Sequence, residues 1–184
     1  MEIRSVIKFL LHIIPVLIVA LFSYFHRREN LSLNISIEIN KTTKEKVCGL
    51  LKDMEFLRFH PCIKEIKFIE KTNIENTSYD VYEYREEAEV LMGLYKFQTK
   101  NKLYVEKIDD CKIRTHVKLP ILSIFEVQYV SEIHVEELKK DSFKLVRVSK
   151  ISGIYYVASV LRYYTKFFNE ILFEKIKIFL ESQV

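Results

Sequence analysis

The sequence contains no tryptophan and only three glycines, three prolines and three cysteines in 184 residues. With so few glycines there is no glycine-rich phosphate loop and no G-x-S-x-G nucleophile elbow. Cys48, Cys62 and Cys111 stand at spacings that match no zinc or C-x-x-C pattern, and their number is odd. Three buried thiols are the expectation, with one disulfide and one leftover thiol as the alternative if the domain faces an oxidising lumen. Charge of one sign is also scarce. The net charge is +4, and residues 31–184 carry 25 Lys+Arg against 23 Asp+Glu. A nucleic-acid binder concentrates basic charge on one face, and no such stripe exists, so nucleic acid is excluded as a partner. None of the five histidines pairs with another at metal-ligand spacing beside a carboxylate, so neither a metal nor a cofactor is expected.

One long uncharged run stands out. Residues 9–25 read FLLHIIPVLIVALFSYF. A helix from Ser5 to Phe25, with Lys8 snorkelling to the headgroups, spans about 31 Å and matches a hydrocarbon core of about 30 Å. Membrane helices tolerate a proline such as Pro15, and Tyr24, Phe25, His26, Arg27 and Arg28 form an interfacial end. Residues 1–29 therefore read as a single-pass membrane anchor, residues 26–32 as a short linker, and residues 30–184 as one domain. A cleaved signal peptide fits less well, because Leu21, Phe22 and Tyr24 stand where small residues would be required. Arg4 and Lys8 balance Arg27 and Arg28, which leaves the orientation open. The expected location is the endoplasmic reticulum or another internal membrane. Sequons begin at Asn30, Asn34, Asn40 and Asn76 and hint at a lumenal domain.

Beyond this run the pattern is mostly of period two. Leu33, Ile35, Ile37 and Ile39 alternate with polar residues, as in a half-buried strand. Thr42 or Thr43 can cap a helix whose apolar face is Val47, Leu50, Leu51 and Met54. A second short helix over Glu55–Phe59 ends at His60-Pro61. Strands follow at Ile63–Lys71, Tyr79–Val90 and Leu94–Glu106, with a turn at Met92-Gly93. Ile113, Thr115, Val117 and Leu119 then face away from Lys112, Arg114, His116 and Lys118. Pro120 is expected to interrupt the pattern within an apolar segment, LPILSIF. The next strand sets Phe125, Val127, Tyr129, Ser131, Ile133 and Val135 on one side, and Phe143–Ile151 returns beside it. A helix from about Gly153 to Ser182 closes the chain, with Val157, Leu161, Tyr164, Phe168, Leu172 and Phe179 at 3–4 spacing. Consecutive strands joined by short turns imply an antiparallel sheet, and helices at both ends make the domain α+β.

The stretch Asp53-Met54-Glu55-Phe56-Leu57-Arg58-Phe59-His60-Pro61, followed by Ile63-Lys64-Glu65-Ile66, resembles the START-like (SRPBCC, helix-grip) superfamily. There an aromatic and a proline often stand between the short helices and the second strand. The resemblance covers about residues 33–182. It implies a helix-grip fold, with a curved antiparallel sheet of about seven strands around the long C-terminal helix, and a hydrophobic ligand held between them. On that reading Tyr84, Phe97, Thr115, Val117, Tyr129 and Ile133 line the sheet side. Leu161, Tyr164 and Phe168 close the helix side, and the hydroxyls of Thr115 and Tyr129 orient the ligand's polar end. No catalytic residue is expected. His116 and His134 fall on outward strand faces, His60 is a loop or cap residue, and Glu86, Glu87 and Glu89 read as a solvated strand end. A raised-pKa carboxylate among these three glutamates is the alternative. The function expected is a membrane-anchored binding or transfer protein for a membrane lipid or isoprenoid-like hydrophobic molecule, and not an enzyme. A tethered scaffold domain with a filled core and a cyclase- or hydrolase-type enzyme are the alternatives.

Overall fold

The computed structural model describes residues 27–90, 95–121, 125–139 and 141–183, and the side chains among these except those of 88–90, 95–97, 120, 121 and 125. The predicted anchor helix, the Met92-Gly93 turn and the centre of LPILSIF lie outside the described residues. Among the described residues no helix is long and apolar enough to cross a membrane.

The elements are β1 (Arg28–Asn40), α1 (Lys44–Lys52), a 3-10 helix (Glu55–Phe59), β2 (Ile63–Ile74), β3 (Thr77–Val90), β4 (Tyr95–Asp109), β5 (Lys112–Ile121), β6 (Phe125–Lys139), β7 (Ser142–Ile154) and α2 (Tyr155–Glu181). The strands form one seven-stranded sheet in the order β1-β7-β6-β5-β4-β3-β2. Every neighbouring pair is antiparallel. The sheet wraps α2, which lies chiefly against β1 and β7. This is the predicted helix-grip architecture.

Local chemistry explains most boundaries. Thr43, not Thr42, caps α1 by accepting the Lys46 N–H. Glu75 and Asn76 both have positive φ, which suits the tight hairpin joining β2 to β3. Gly153 is needed in β7 because a Cβ there would meet Val127 Cγ2 at 2.9 Å. Two boundaries depart from expectation. The predicted linker is mostly strand, because β1 pairs with β7 from Arg28↔Ile154 onward. Pro120 does not interrupt β5 but pairs with Glu126 of β6. The ladder between β4 and β5 stops at Leu103↔Val117, so the side of Pro120 that lacks an N–H meets no ladder partner.

One end of the structure is closed. There Leu172, Phe173, Ile176 and Leu180 of α2 are at most 2% exposed and pack against Ile39, Val47, Leu51, Phe56, Ile113 and Leu145. A disulfide joins Cys48 on α1 to Cys111 in the β4–β5 turn, while Cys62 is a buried free thiol. The expectation of three thiols is therefore corrected to its alternative, which sequence spacing could not decide. At the opposite end lie the start of β1, the end of β7 and the first turn of α2, where the Tyr155 N–H donates to the Arg27 carbonyl at 2.7 Å. The last described residues of β3 and β5 and the first of β4 and β6 lie at the same end.

Candidate functional site

Antiparallel register lays the inward residues out in rows across the sheet. One row is Tyr82, Leu103, Val117, Tyr129 and Ile151. The next carries hydroxyls, with Thr115 opposite Ser131 and Ser131 opposite Ser149. The third has Ile113, Ile133 and Arg147. An apolar row thus sits above a polar one, with a cation below. Ile151 of the first row packs with Ala158 near the start of α2, and Arg147 of the third reaches Asn169 in its middle.

The polar groups form one buried network. Ser131, Ser149, Thr115, Asn169 and Arg147 are each at most 8% exposed. Arg147 Nε donates to Ser131 Oγ at 2.7 Å, and its Nη1 donates to Asn169 Oδ1. Asn169 in turn donates to the Thr165 carbonyl one helical turn back, which fixes its amide. Ser149 Oγ donates to Ser131 Oγ and is within 2.9 Å of the Tyr129 hydroxyl. The Arg147 guanidinium lies 5.5 Å from the centre of the Tyr129 ring, in cation–π range.

The predicted lining is largely brought together. Tyr84, Val117 and Ile133 are buried in the main core, against which Tyr129 packs. Leu161 and Tyr129 pack on a second cluster, Val127, Ile151 and Ala158. Tyr164 stacks on Phe168 at 6.1 Å. Phe97 pairs with Ala88 across β3–β4, and its side chain lies outside the described residues. The two hydroxyls assigned to a ligand are engaged within the protein: Tyr129 with Ser149, and Thr115 with the Ser131 carbonyl at 3.3 Å. Sequence reasoning missed Arg147, Ser149 and Asn169. Arg147 shares the parity of Phe143, Leu145 and Ile151, a signal that apolar Val146 and Val148 on the opposite face obscure.

Two titratable groups border this region. His60 follows the 3-10 helix as expected, and its ring lies 6.1 Å from Phe168. Its Nδ1 accepts the Cys62 N–H, which leaves the single ring proton of the neutral form on Nε2. Burial, with Arg147 and Lys175 adding repulsion, lowers its pKa to about 3. Glu86 shares a face of β3 with Tyr82 and Tyr84, and burial raises its carboxyl to about 7. That corrects the reading of Glu86 as a solvated strand end, whereas Glu87 does pair outside with Gln98 and Arg85. The Tyr84 hydroxyl is pushed up by burial and then by Glu86.

The outer face holds little of this kind. His116 rests edge-on against Tyr79, and His134 lies between Glu132 and Glu136. At the rim of the open end, Arg28, Glu29, Asn30, Glu126, Gln128, Ser152 and Gly153 line a polar groove of about 260 Å³. Among the described residues no group of three or more His, Cys, Asp or Glu is placed to hold a metal.

Comparison with known proteins supports the fold. A START superfamily protein from Mycobacterium smegmatis is 12% identical, with a TM-score of 0.57, covering 83% of this chain and 99% of that one. A ginseng major latex-like protein from Panax ginseng is 12% identical, with a TM-score of 0.55, covering 82% and 97%. The di-domain ARO/CYC StfQ of the steffimycin biosynthetic pathway is 10% identical, with a TM-score of 0.62, covering 84% of this chain and 52% of its own. The chain therefore has a START-like fold. No family profile matches the sequence, and no curated protein matches it.

Proposed function

We propose that this chain is a membrane-anchored binding or transfer protein for a lipid or another hydrophobic small molecule, with residues 1–29 as anchor and residues 30–184 as ligand-binding domain. The observation that carries the reading is the layer under the first half of α2. Leu161, Tyr164 and Phe168 are only half-buried there, although they are large and mostly apolar; Leu161 shares a cluster with Tyr129, and Tyr164 stacks on Phe168. Deep ligand sites combine such apolar walls with a few convergent polar groups. The START-like fold agrees with it.

The anchor reading rests on the uncharged run of residues 9–25, which ends two residues before the first described residue, Arg27. Arg27 is hydrogen-bonded to the first residue of α2, so a bilayer holding that run lies beside the open end of the fold. Val160, Tyr163 and Phe167 on the outer side of the same half of α2 are 39%, 70% and 51% exposed, which suits contact with lipid. A ligand would then pass between membrane and protein without crossing water. The Cys48–Cys111 disulfide and the exposure of Asn30, Asn34, Asn40 and Asn76 favour the lumenal side.

Binding is preferred over catalysis because the buried hydroxyls of Ser131 and Ser149 are bonded to each other, to Arg147 and to Tyr129, and among the described residues no His or carboxylate is hydrogen-bonded to either. The test is to extract the full chain in mild detergent and identify retained lipids by mass spectrometry. A defined lipid class should accompany it and should be depleted in Leu161→Glu. Retention no greater than that of an unrelated single-pass protein would sink the reading.

A further inference from the structure

Among the described residues, the network under α2 contains one charge with no carboxylate to balance it. Arg147 is 8% exposed, and among the described residues no carboxylate pairs with it. Its partners are a serine hydroxyl, an asparagine carbonyl and a tyrosine ring, all neutral. A guanidinium carries five N–H donors in a planar fork, and two hydrogen bonds to the protein are made here. Burying a cation without a counter-ion is costly, and an apolar side chain of similar size in its place is often neutral or stabilising. A latch between β7 and α2 would therefore not call for arginine. A site for a planar or tetrahedral anion would, because such groups meet the fork through two parallel bonds.

The position suits an amphiphile. Arg147 lies below the hydroxyl row, at the border between the tightly packed and the loosely packed half of α2. From it to Gly153 at the open end is six residues of β7, or about 20 Å. Asn169 to Tyr155 on α2 covers a similar length, about 21 Å. Between these limits lie the large side chains of Tyr129, Leu161, Tyr164 and Phe168, of which the three on α2 are only half-buried. We infer that Arg147, with Ser131 and Asn169 holding its fork in place, receives the single anionic head of a long-chain amphiphile whose tail runs toward the open end. Carboxylate and phosphate heads share this chemistry. The inference rests on the proposed ligand-binding function and adds the class of ligand.

The experiment uses the full chain in nonionic detergent, immobilised on scintillation beads, with tritiated palmitate as tracer and hexadecanol, hexadecyl phosphate, acetate and inorganic phosphate as competitors. Palmitate or hexadecyl phosphate should displace the tracer at a concentration about tenfold or more below that of hexadecanol. Whichever of the two is stronger assigns the head. Arg147→Met should weaken palmitate about tenfold and leave hexadecanol unchanged, with a melting temperature no lower than wild type. Arg147→Lys keeps the charge without the fork and should fall between, which guards against a Met variant that does not fold. Replacing exposed Arg58 by Met should change nothing. If hexadecanol competes as well as palmitate, or if Arg147→Met still discriminates between them, the headgroup inference is overturned while hydrophobic binding stands. Equal competition by acetate or inorganic phosphate overturns the amphiphile. Absence of saturable palmitate binding in a wild-type chain that still retains lipid overturns the headgroup inference alone, and the same absence together with no lipid retained above a single-pass control overturns the proposed function itself.

Discussion

The two halves of α2 belong to one uninterrupted helix of 27 residues, yet they are buried differently. In the second half, Leu172, Phe173, Ile176 and Leu180 are sealed at 2% exposure or less. In the first, Ala158 is the buried apolar residue, while Val157, Leu161, Tyr164 and Phe168 stay half-buried. Apolar spacing along the helix does not account for this, because it continues through both halves. The difference lies opposite the helix. α1 and the 3-10 helix cap the second half with Val47, Leu51 and Phe56, and the disulfide holds α1 down. No described helix covers the open end. One half of the helix therefore builds stability, and the other is available for function.

The largest expected effect sharpens that contrast. Leu172→Ala removes a fully buried side chain from the closed end and should cost about 3–5 kcal/mol in urea unfolding. Leu161→Ala at the open end should cost about 1 kcal/mol, because its surroundings are already partly solvated. Equal losses would mean that the two halves are packed alike, and the comparison would fail.

Next in size is the disulfide. Cys48 and Cys111 are 63 residues apart, and the double alanine variant should lose about 2–4 kcal/mol. The loss should be confined to the closed end. Hydrogen exchange should speed up first in α1 and the β4–β5 turn, with lipid retention unaltered in the folded fraction. Early exchange in residues 155–168 instead would show that the two ends unfold as one.

Much of this is legible from residues alone, and the exceptions are physical. The alternation in β5 and β6 is clean, so parity by itself assigns Thr115, Val117, Tyr129 and Ile133 to the inward face. In β7, Val146 and Val148 are apolar on the outer side as well, which blurs the phase and hides Arg147 among residues that read as surface charges. Asn169 escapes notice because the apolar arc of α2 is broad enough to absorb one amide. Glu86 stands beside two other acidic residues, Glu87 and Glu89, and only the parity of β3 separates it from Glu87. The disulfide partners come together through tertiary packing of α1 on the sheet, which no spacing along the chain encodes.

A smaller effect distinguishes the two titratable groups bordering the site. Glu86 has a raised pKa of about 7, so its contribution to stability is present below its ordinary value and is lost as pH rises through 7. Glu86→Gln should therefore stabilise the protein by about 1 kcal/mol at pH 8 and by almost nothing at pH 4, after allowance for its partial exposure. His60 has a lowered pKa of about 3, so its contribution is full above 6.5 and is lost as pH falls toward 3. His60→Gln should flatten that acid limb. Thermal unfolding of both variants from pH 4 to pH 8 checks the two signs. If Glu86→Gln gained as much at pH 4 as at pH 8, the carboxyl would not be titrating in this window.

The smallest energetic change carries the test of orientation. Val160 is 39% exposed on the outer side of the open half, and Ile74 is 45% exposed beside the β2–β3 hairpin at the closed end. Tryptophan at either position should shift stability by less than about 0.5 kcal/mol. Because the chain has no tryptophan of its own, each variant has a single tryptophan, which selective excitation at the red edge separates from the 11 tyrosines. With the full chain in nanodiscs of brominated lipid, Val160→Trp should be strongly quenched and Ile74→Trp should not, since quenching by bromine requires near contact. Equal quenching would mean that the domain lies flat on the bilayer. Quenching at Ile74 alone would place the open end away from the membrane, and a ligand would then have to cross water to reach Tyr129 and Arg147.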